Sequence, residues 1–293
     1  IGSHGINWVT EDCGANLRAL NSGKKIHELQ FHPTQRGWAL AAGWTSCADF
    51  ADDQPCEIYK ELYYTKDLGS SWQYLKNYVF DFSWGSTRFS AENHKKNVET
   101  RVFLTHDPDL KGHQKTKERW NENVHLYYSD DFFKTEKIAL DAGNSIIMTN
   151  HYMFVAKAVS AENVKIHVSR AEGAFLDFKT ARLPSNYMLT DHFTVLDTNE
   201  KTVFLYVSDH TRLQPVGNLF ISDGQGYRFT HSLEFIIKQF HNVDFEAVES
   251  MEGTFLANRF DGNHRREALI LLNKTQNINI NSLYIKMKTG KNE

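Results

Sequence analysis

At 293 residues the chain is long enough to bury a large core, and 41% hydrophobic with 13% aromatic residues fits a globular β-rich protein. Thirty-three basic against 36 acidic residues give a net charge of −3, which excludes a global attraction to nucleic acid. No apolar run approaches the roughly 18 residues that a bilayer-spanning helix needs. The opening Ile1-Gly2-Ser3-His4-Gly5 is neither an initiator methionine nor a signal peptide, so the sequence reads as a middle piece of a longer one.

The first local motif is Thr10-Glu11-Asp12-Cys13-Gly14-Ala15-Asn16-Leu17, which keeps part of the Asp-box pattern Ser/Thr-x-Asp-x-Gly-x-Ser/Thr-Trp. Strand-like apolar runs follow at 26–31 and 38–45. Next comes the polar loop between Cys47 and Cys56. A short-loop disulfide fits there in an oxidising compartment, and two separate thiols fit a reducing one. Cys13 has no assigned partner.

After the run Glu61-Leu62-Tyr63-Tyr64, the segment Thr65-Lys66-Asp67-Leu68-Gly69-Ser70-Ser71-Trp72 satisfies the Asp-box pattern at every defined position. Asp67 is placed to fold its carboxylate onto the N–H groups of its own turn. Gly69 supplies a positive φ without a Cβ clash. Trp72 is expected to plug the turn into a sheet as a buried ring. The motif is a hairpin clasp, so Asp67 is architectural rather than catalytic.

Further strands are expected at 79–84, 101–105, 124–128, 146–159, 164–168, 203–207, 218–221, 254–258 and 268–272, with one short helix around 232–240. Two polar insertions, 85–98 and 106–123, read as exposed loops. The second carries His106, Asp107, Asp109 and His113 without a regular ligand framework, so no metal site is assigned. Asn273-Lys274-Thr275 is the single N-glycosylation sequon, with Asn273 as acceptor.

Weaker copies of the clasp recur. Ser129-Asp130-Asp131-Phe132-Phe133-Lys134-Thr135 keeps Asp131 but loses the glycine. Ser169-Arg170-Ala171-Glu172-Gly173 loses the Asp. Ser222-Asp223-Gly224-Gln225-Gly226-Tyr227-Arg228-Phe229 keeps Ser222, Gly226 and a terminal aromatic. Box positions at 12, 67, 131, 171 and 224 recur at the spacing of four-stranded blades with insertions, so an all-β propeller is expected.

With that repeat in place, several segments resemble the Vps10 domain of sortilin-type sorting receptors. They include Phe31-His32-Pro33, Trp38, the Cys47 to Cys56 loop leading into the intact box, and Leu126-Tyr127-Tyr128-Ser129-Asp130. Ile166-His167-Val168-Ser169, Gly217-Asn218-Leu219-Phe220-Ile221-Ser222-Asp223, Asp244-Phe245 and Met251-Glu252-Gly253-Thr254-Phe255-Leu256-Ala257-Asn258 continue the match in order. The resemblance implies that residues 1–293 are part of a ten-bladed propeller, an open arc of about five or six blades. It also implies a lumenal receptor segment of Golgi and endosomal membranes that binds protein or peptide cargo in the propeller tunnel. The membrane span and the Cys-rich modules would lie outside this segment. No cofactor, metal or nucleic-acid partner is implied, and a receptor dimer is compatible with it.

The family's peptide site maps onto inner strands expected at 152–156 and 191–196. Phe154, Ala156, Phe193 and Val195 would line it, with an open strand edge supplying backbone hydrogen bonds. The family's arginine position falls at Val164, beside Lys165, and a lysine is only a point-charge substitute for an arginine fork. His151 and His192 flank these strands and are placed to release cargo on acidification. The competing reading is a sialidase-like Asp-box glycoside hydrolase. That chemistry needs three arginines around a carboxylate, and no early Arg-Ile-Pro segment supplies the first.

Overall fold

The computed structural model describes residues 7–21, 23–49, 55–85, 99–114, 120–171, 175–184, 193–199, 202–209, 216–239, 242–248, 254–260 and 266–272. It divides into two compact units, 1–180 and 181–293.

The first unit opens with a small hairpin of β1 (Trp8–Val9) and β2 (Arg18–Ala19). Three four-stranded antiparallel sheets follow, each ordered as its strands occur in the chain. The first contains β3 (Glu28–Phe31), β4 (Ala39–Trp44), β5 (Lys60–Thr65) and β6 (Gln73–Lys76). The second contains β7 (Val79–Trp84), β8 (Val102–His106), β9 (His125–Ser129) and β10 (Lys137–Leu140). The third contains β11 (Gly143–Met148), β12 (Tyr152–Ala158), β13 (Val164–Arg170) and β14 (Lys179–Thr180).

The second strand of each sheet is buried on both faces, which is why it reads as a nearly continuous apolar run: every residue of 39–43, of 102–106 and of 152–156 is buried. Cores form where consecutive sheets pack face to face. Leu40, Ala42, Leu62 and Leu75 of the first sheet meet Val79, Trp84, Val102, Leu104 and Tyr127 of the second. Phe103 and Leu126 of the second meet Ile146, Met153 and Val155 of the third. Meander sheets stacked in chain order, each on the next, are propeller blades.

The second unit holds one eight-stranded sheet. Its strands are β15 (Phe193–Asn199), β16 (Thr202–Asp209), β17 (Val216–Ser222), β18 (Phe229–Gln239), β19 (Asn242–Val243), β20 (Phe245–Ala247), β21 (Thr254–Phe260) and β22 (Arg266–Leu272). The run β15–β16–β17–β18 repeats the blade meander, and β20–β21–β22 begins another. Phe204, Tyr206, Leu219, Leu233 and Ile236 from the first run pack on Phe245, Phe255 and Ala257 from the second. The sheet is continuous because Ile236 of β18 pairs with Arg259 of β21.

Residues 232–239 form strand, not the helix expected there. Leu233, Ile236 and Ile237 are spaced like a helical face, but the chain reaches that spacing through a bulge. Phe235 takes a φ of 62°, and the register against β17 shifts around it. Residues 107–114 are only in part the exposed loop expected: 108, 109, 111 and 113 are exposed, whereas Asp107 and Gln114 are buried. Gln114 Oε1 accepts from Lys60 N–H and its Nε2 donates to Val79 O, while His113 Nδ1 accepts from Ile58 N–H. The insertion thus closes over the segment next to Cys56. Cys47 and Cys56 form a disulfide, Cys13 is a free exposed cysteine, and Asn273 lies outside the described residues.

Candidate functional site

Three clasps share one hydrogen-bond pattern. In the intact box, Thr65 Oγ1 donates to Asp67 Oδ1 and accepts from Gly69 N–H, while Asp67 accepts from Ser71 N–H at 2.9 Å and Ser71 Oγ at 2.6 Å. Thr10, Asp12, Gly14 and Asn16 repeat it, with the Asn16 side chain replacing the hydroxyl. Ser129, Asp131, Phe133 and Thr135 repeat it again without a glycine. These donors hold Asp67 and Asp131 down to about 2: the Ser71 hydroxyl acts most strongly on Asp67, and the Thr135 N–H on Asp131. Every oxygen of these carboxylates is committed to its own turn, so none is placed as an acid, base or nucleophile. Between residues 222 and 229 the clasp is replaced. Asp223, one position early, accepts from Gln225 and Arg228 N–H, and Gly226 turns with a φ of 78°. Residues 172–174 of the remaining copy lie outside the described residues.

Trp72, expected as a buried ring, is half-buried. Its indole Nε1 donates to Leu20 O at 2.9 Å, and Arg18 donates to Leu68 O at 2.8 Å. The clasp therefore fastens the segment after β2 onto the first blade.

First strands of successive blades are joined by polar side chains that the sequence did not single out. Gln30 on β3 accepts Trp84 N–H through Oε1, and its own carbonyl accepts the Trp84 indole N–H. Lys60, its side chain 10% exposed, binds Glu28 Oε1 at 2.8 Å and Phe80 O at 3.0 Å. Asp81 on β7 reaches β11, accepting from Ser145 Oγ at 2.9 Å and Ile146 N–H at 2.7 Å. Burial pushes the Asp81 carboxyl up, against these donors, which pull it down. The readable signal was an Asp inside the otherwise apolar run Val79-Phe80-Asp81-Phe82.

The expected ligand residues are not brought together within one unit. Phe154 and Ala156 lie on β12, the second strand of its blade, paired along both edges with β11 and β13. Both are wholly buried, so neither side chain meets solvent. Lys165 is exposed on β13, opposite Lys157. Phe193 and Val195 are half-buried on β15, which pairs among the described residues with β16 alone. His192 lies outside the described residues. No cluster of metal-ligating side chains occurs among the described residues, and no helix among them is long and apolar enough to cross a membrane.

Residues 1–282 match the family model for Sortilin-Vps10 (Sortilin, neurotensin receptor 3). A vacuolar protein sorting/targeting protein 10 of Mycosarcoma maydis is 28% identical over 259 residues, covering 86% of this chain and 16% of that protein. Its namesake in Phaeosphaeria nodorum is 26% identical over 236 residues, covering 78% and 15%. The chain thus spans about a sixth of the length of these relatives. In structure, an acylaminoacyl peptidase of Pyrococcus horikoshii superposes with a TM-score of 0.50 at 11% identity, over 92% of this chain and 40% of that one, a likeness of fold alone. The family model, matched along nearly the whole length, and the stacked blade meanders agree: the chain belongs to the Sortilin-Vps10 family.

Proposed function

We propose that this chain is the cargo-binding propeller segment of a vacuolar sorting receptor. It would face the lumen of Golgi and endosomal compartments and be tethered by a span outside the segment. The observation that carries the reading is the Sortilin-Vps10 match over residues 1–282, whose relatives are named for sorting and targeting rather than for hydrolysis. The Cys47–Cys56 disulfide supports an oxidising, lumenal setting. The glycoside hydrolase reading needs three arginines around a carboxylate, and no early Arg-Ile-Pro segment in the sequence supplies the first.

Cargo binding is assigned to the β15 edge. An edge strand takes an extended peptide as one more strand; β15 pairs with β16 alone among the described residues, and half-buried Phe193 and Val195 supply side-chain contacts there. Phe154 and Ala156 then serve as the packing that holds β11 in place. The test is fluorescence anisotropy of labelled peptides cut from soluble vacuolar proteins, against the native chain and Phe193→Ala. A loss of about tenfold in affinity, the worth of about 1.4 kcal/mol, with unchanged thermal unfolding supports the assignment. Unchanged affinity places cargo elsewhere.

A further inference from the structure

The disulfide and the insertion after β8 meet at one short stretch of chain. Glu57, Ile58 and Tyr59 run from Cys56 to β5, belong to no strand, and are held from two sides. On one side stands Thr45, just past β4 and just before Cys47. Its Oγ1 donates to Glu57 O at 2.8 Å and accepts from Tyr59 N–H at 3.0 Å. On the other side lies a strap formed by residues 112–114, which takes the backbone groups that Thr45 leaves. His113 Nδ1 accepts from Ile58 N–H at 3.1 Å, Gln114 N–H donates to Ile58 O at 2.8 Å, and Gln114 Oε1 accepts from Lys60 N–H at 3.0 Å. Gln114 Nε2 also donates to Val79 O at 3.2 Å, so one buried amide ties the entrance of β5 in the first blade to the start of β7 in the second. The Tyr78 hydroxyl is shared between Gly112 O at 3.2 Å and Glu57 Oε2 at 2.9 Å.

Hydrogen bonds, not apolar burial, hold the strap down: none of residues 108–113 is buried. Each such bond contributes little once the water it replaces is counted. The strap can therefore lift locally while β4 and β5 beneath it stay paired. Its anchor is Ile58, and the bridge fixes the chain immediately before that residue. Cys47 is exposed and Cys56 half-buried, which leaves the bridge open to a thiol from solvent at Cys47.

We propose that the Cys47–Cys56 bridge is a redox control on the strap: bridged, it holds Ile58 where the strap docks; reduced, it lets the strap lift and separates the entrance of β5 from β7. The reductant is a dithiol. Its thiolate attacks Cys47 Sγ, the S–S bond breaks, and Cys56 leaves as a thiolate that takes up a proton. The second thiol then displaces Cys47, so the protein gains two electrons and two protons and the reductant ends as a disulfide. The coupling is reciprocal: the bridge favours the docked strap, and the docked strap favours the bridge. The device lies within the first unit and does not depend on cargo binding at β15.

The test is amide hydrogen exchange of the chain, bridged and after reduction with dithiothreitol, the exposed free Cys13 having been alkylated first. Protection of the Ile58 and Lys60 amides is expected to fall by about tenfold or more on reduction, while the amides of β12 keep theirs. The double variant Cys47→Ser/Cys56→Ser should show the reduced pattern without dithiothreitol and no further change with it. Gln114→Ala should make the bridge about tenfold easier to reduce in a dithiothreitol redox titration. His113→Ala, at an exposed position that does not threaten folding, should move that equilibrium the same way by less. Unchanged protection at Ile58 and Lys60 overturns the proposal, as does a reduction equilibrium indifferent to both strap variants. Loss of protection along β12 as well overturns it too, because the bridge then holds up the whole unit and not the strap.

Discussion

Glycines 14 and 69 occupy the same position in two clasps, and both have positive φ, 94° and 79°. On conformation alone, replacing either with alanine should cost about 1 kcal/mol. Their surroundings differ. A Cβ on Gly14 meets nothing within 4 Å, whereas one on Gly69 falls 2.5 Å from Leu20 O and 2.6 Å from Leu20 Cδ1. Leu20 is buried at 2% exposure, and its carbonyl also accepts the Trp72 indole hydrogen bond, so it cannot give way cheaply. Overpacking of this kind adds about 1–3 kcal/mol, and loss of the indole bond adds about 1 kcal/mol more. Gly69→Ala should therefore destabilise by about 3–5 kcal/mol and Gly14→Ala by about 1 kcal/mol. Urea unfolding of the two variants reads the difference as a shift in midpoint at constant slope. Equal shifts would refute the close-approach account and leave only backbone strain. Trp72→Phe isolates the indole contribution and should cost about 1 kcal/mol.

Reducing the disulfide or replacing Cys47 and Cys56 with serine should cost about 3 kcal/mol, from the loop-closure relation for a separation of nine residues; an unchanged thermal midpoint would show that the docked 107–114 segment already holds the loop. Burial pulls His106 down to about 4, with Lys76 adding to the effect, and its contribution is complete above pH 6.5 and lost as the pH falls through about 4. That difference is worth about 3 kcal/mol, so unfolding measured from pH 7 to 4 should show the loss, and His106→Phe should flatten it. Asp81 has the opposite sign: its raised value means that its contribution is present at low pH and lost as the pH rises through that value. Asp81→Ala should nonetheless destabilise by about 2–4 kcal/mol, because Ile146 N–H and Ser145 Oγ lose their acceptor; hydrogen exchange at Ile146 would register the opening.

The turn chemistry was written in the sequence. Asp67, Gly69 and the box hydroxyls interact within a few residues of one another, so their pattern gave the hairpins, and the recurrence of those hairpins gave the blades. The apolar runs were equally legible, because strands buried on both faces leave little choice of residue. Long-range approach is what the sequence could not show. Gly69 reads as a residue for positive φ, yet Phe133 holds the same turn position at a φ of 59°. What demands glycine at 69 is Leu20, 49 residues earlier, crossing the turn. Phe154 reads as a pocket aromatic, but strand order places it on a second strand closed on both edges. Leu233 and Ile236 read as a helical face until the bulge at Phe235 and the pairing with β17 are in place. In each case local propensity was satisfied by more than one arrangement, and packing between segments distant in sequence selected among them.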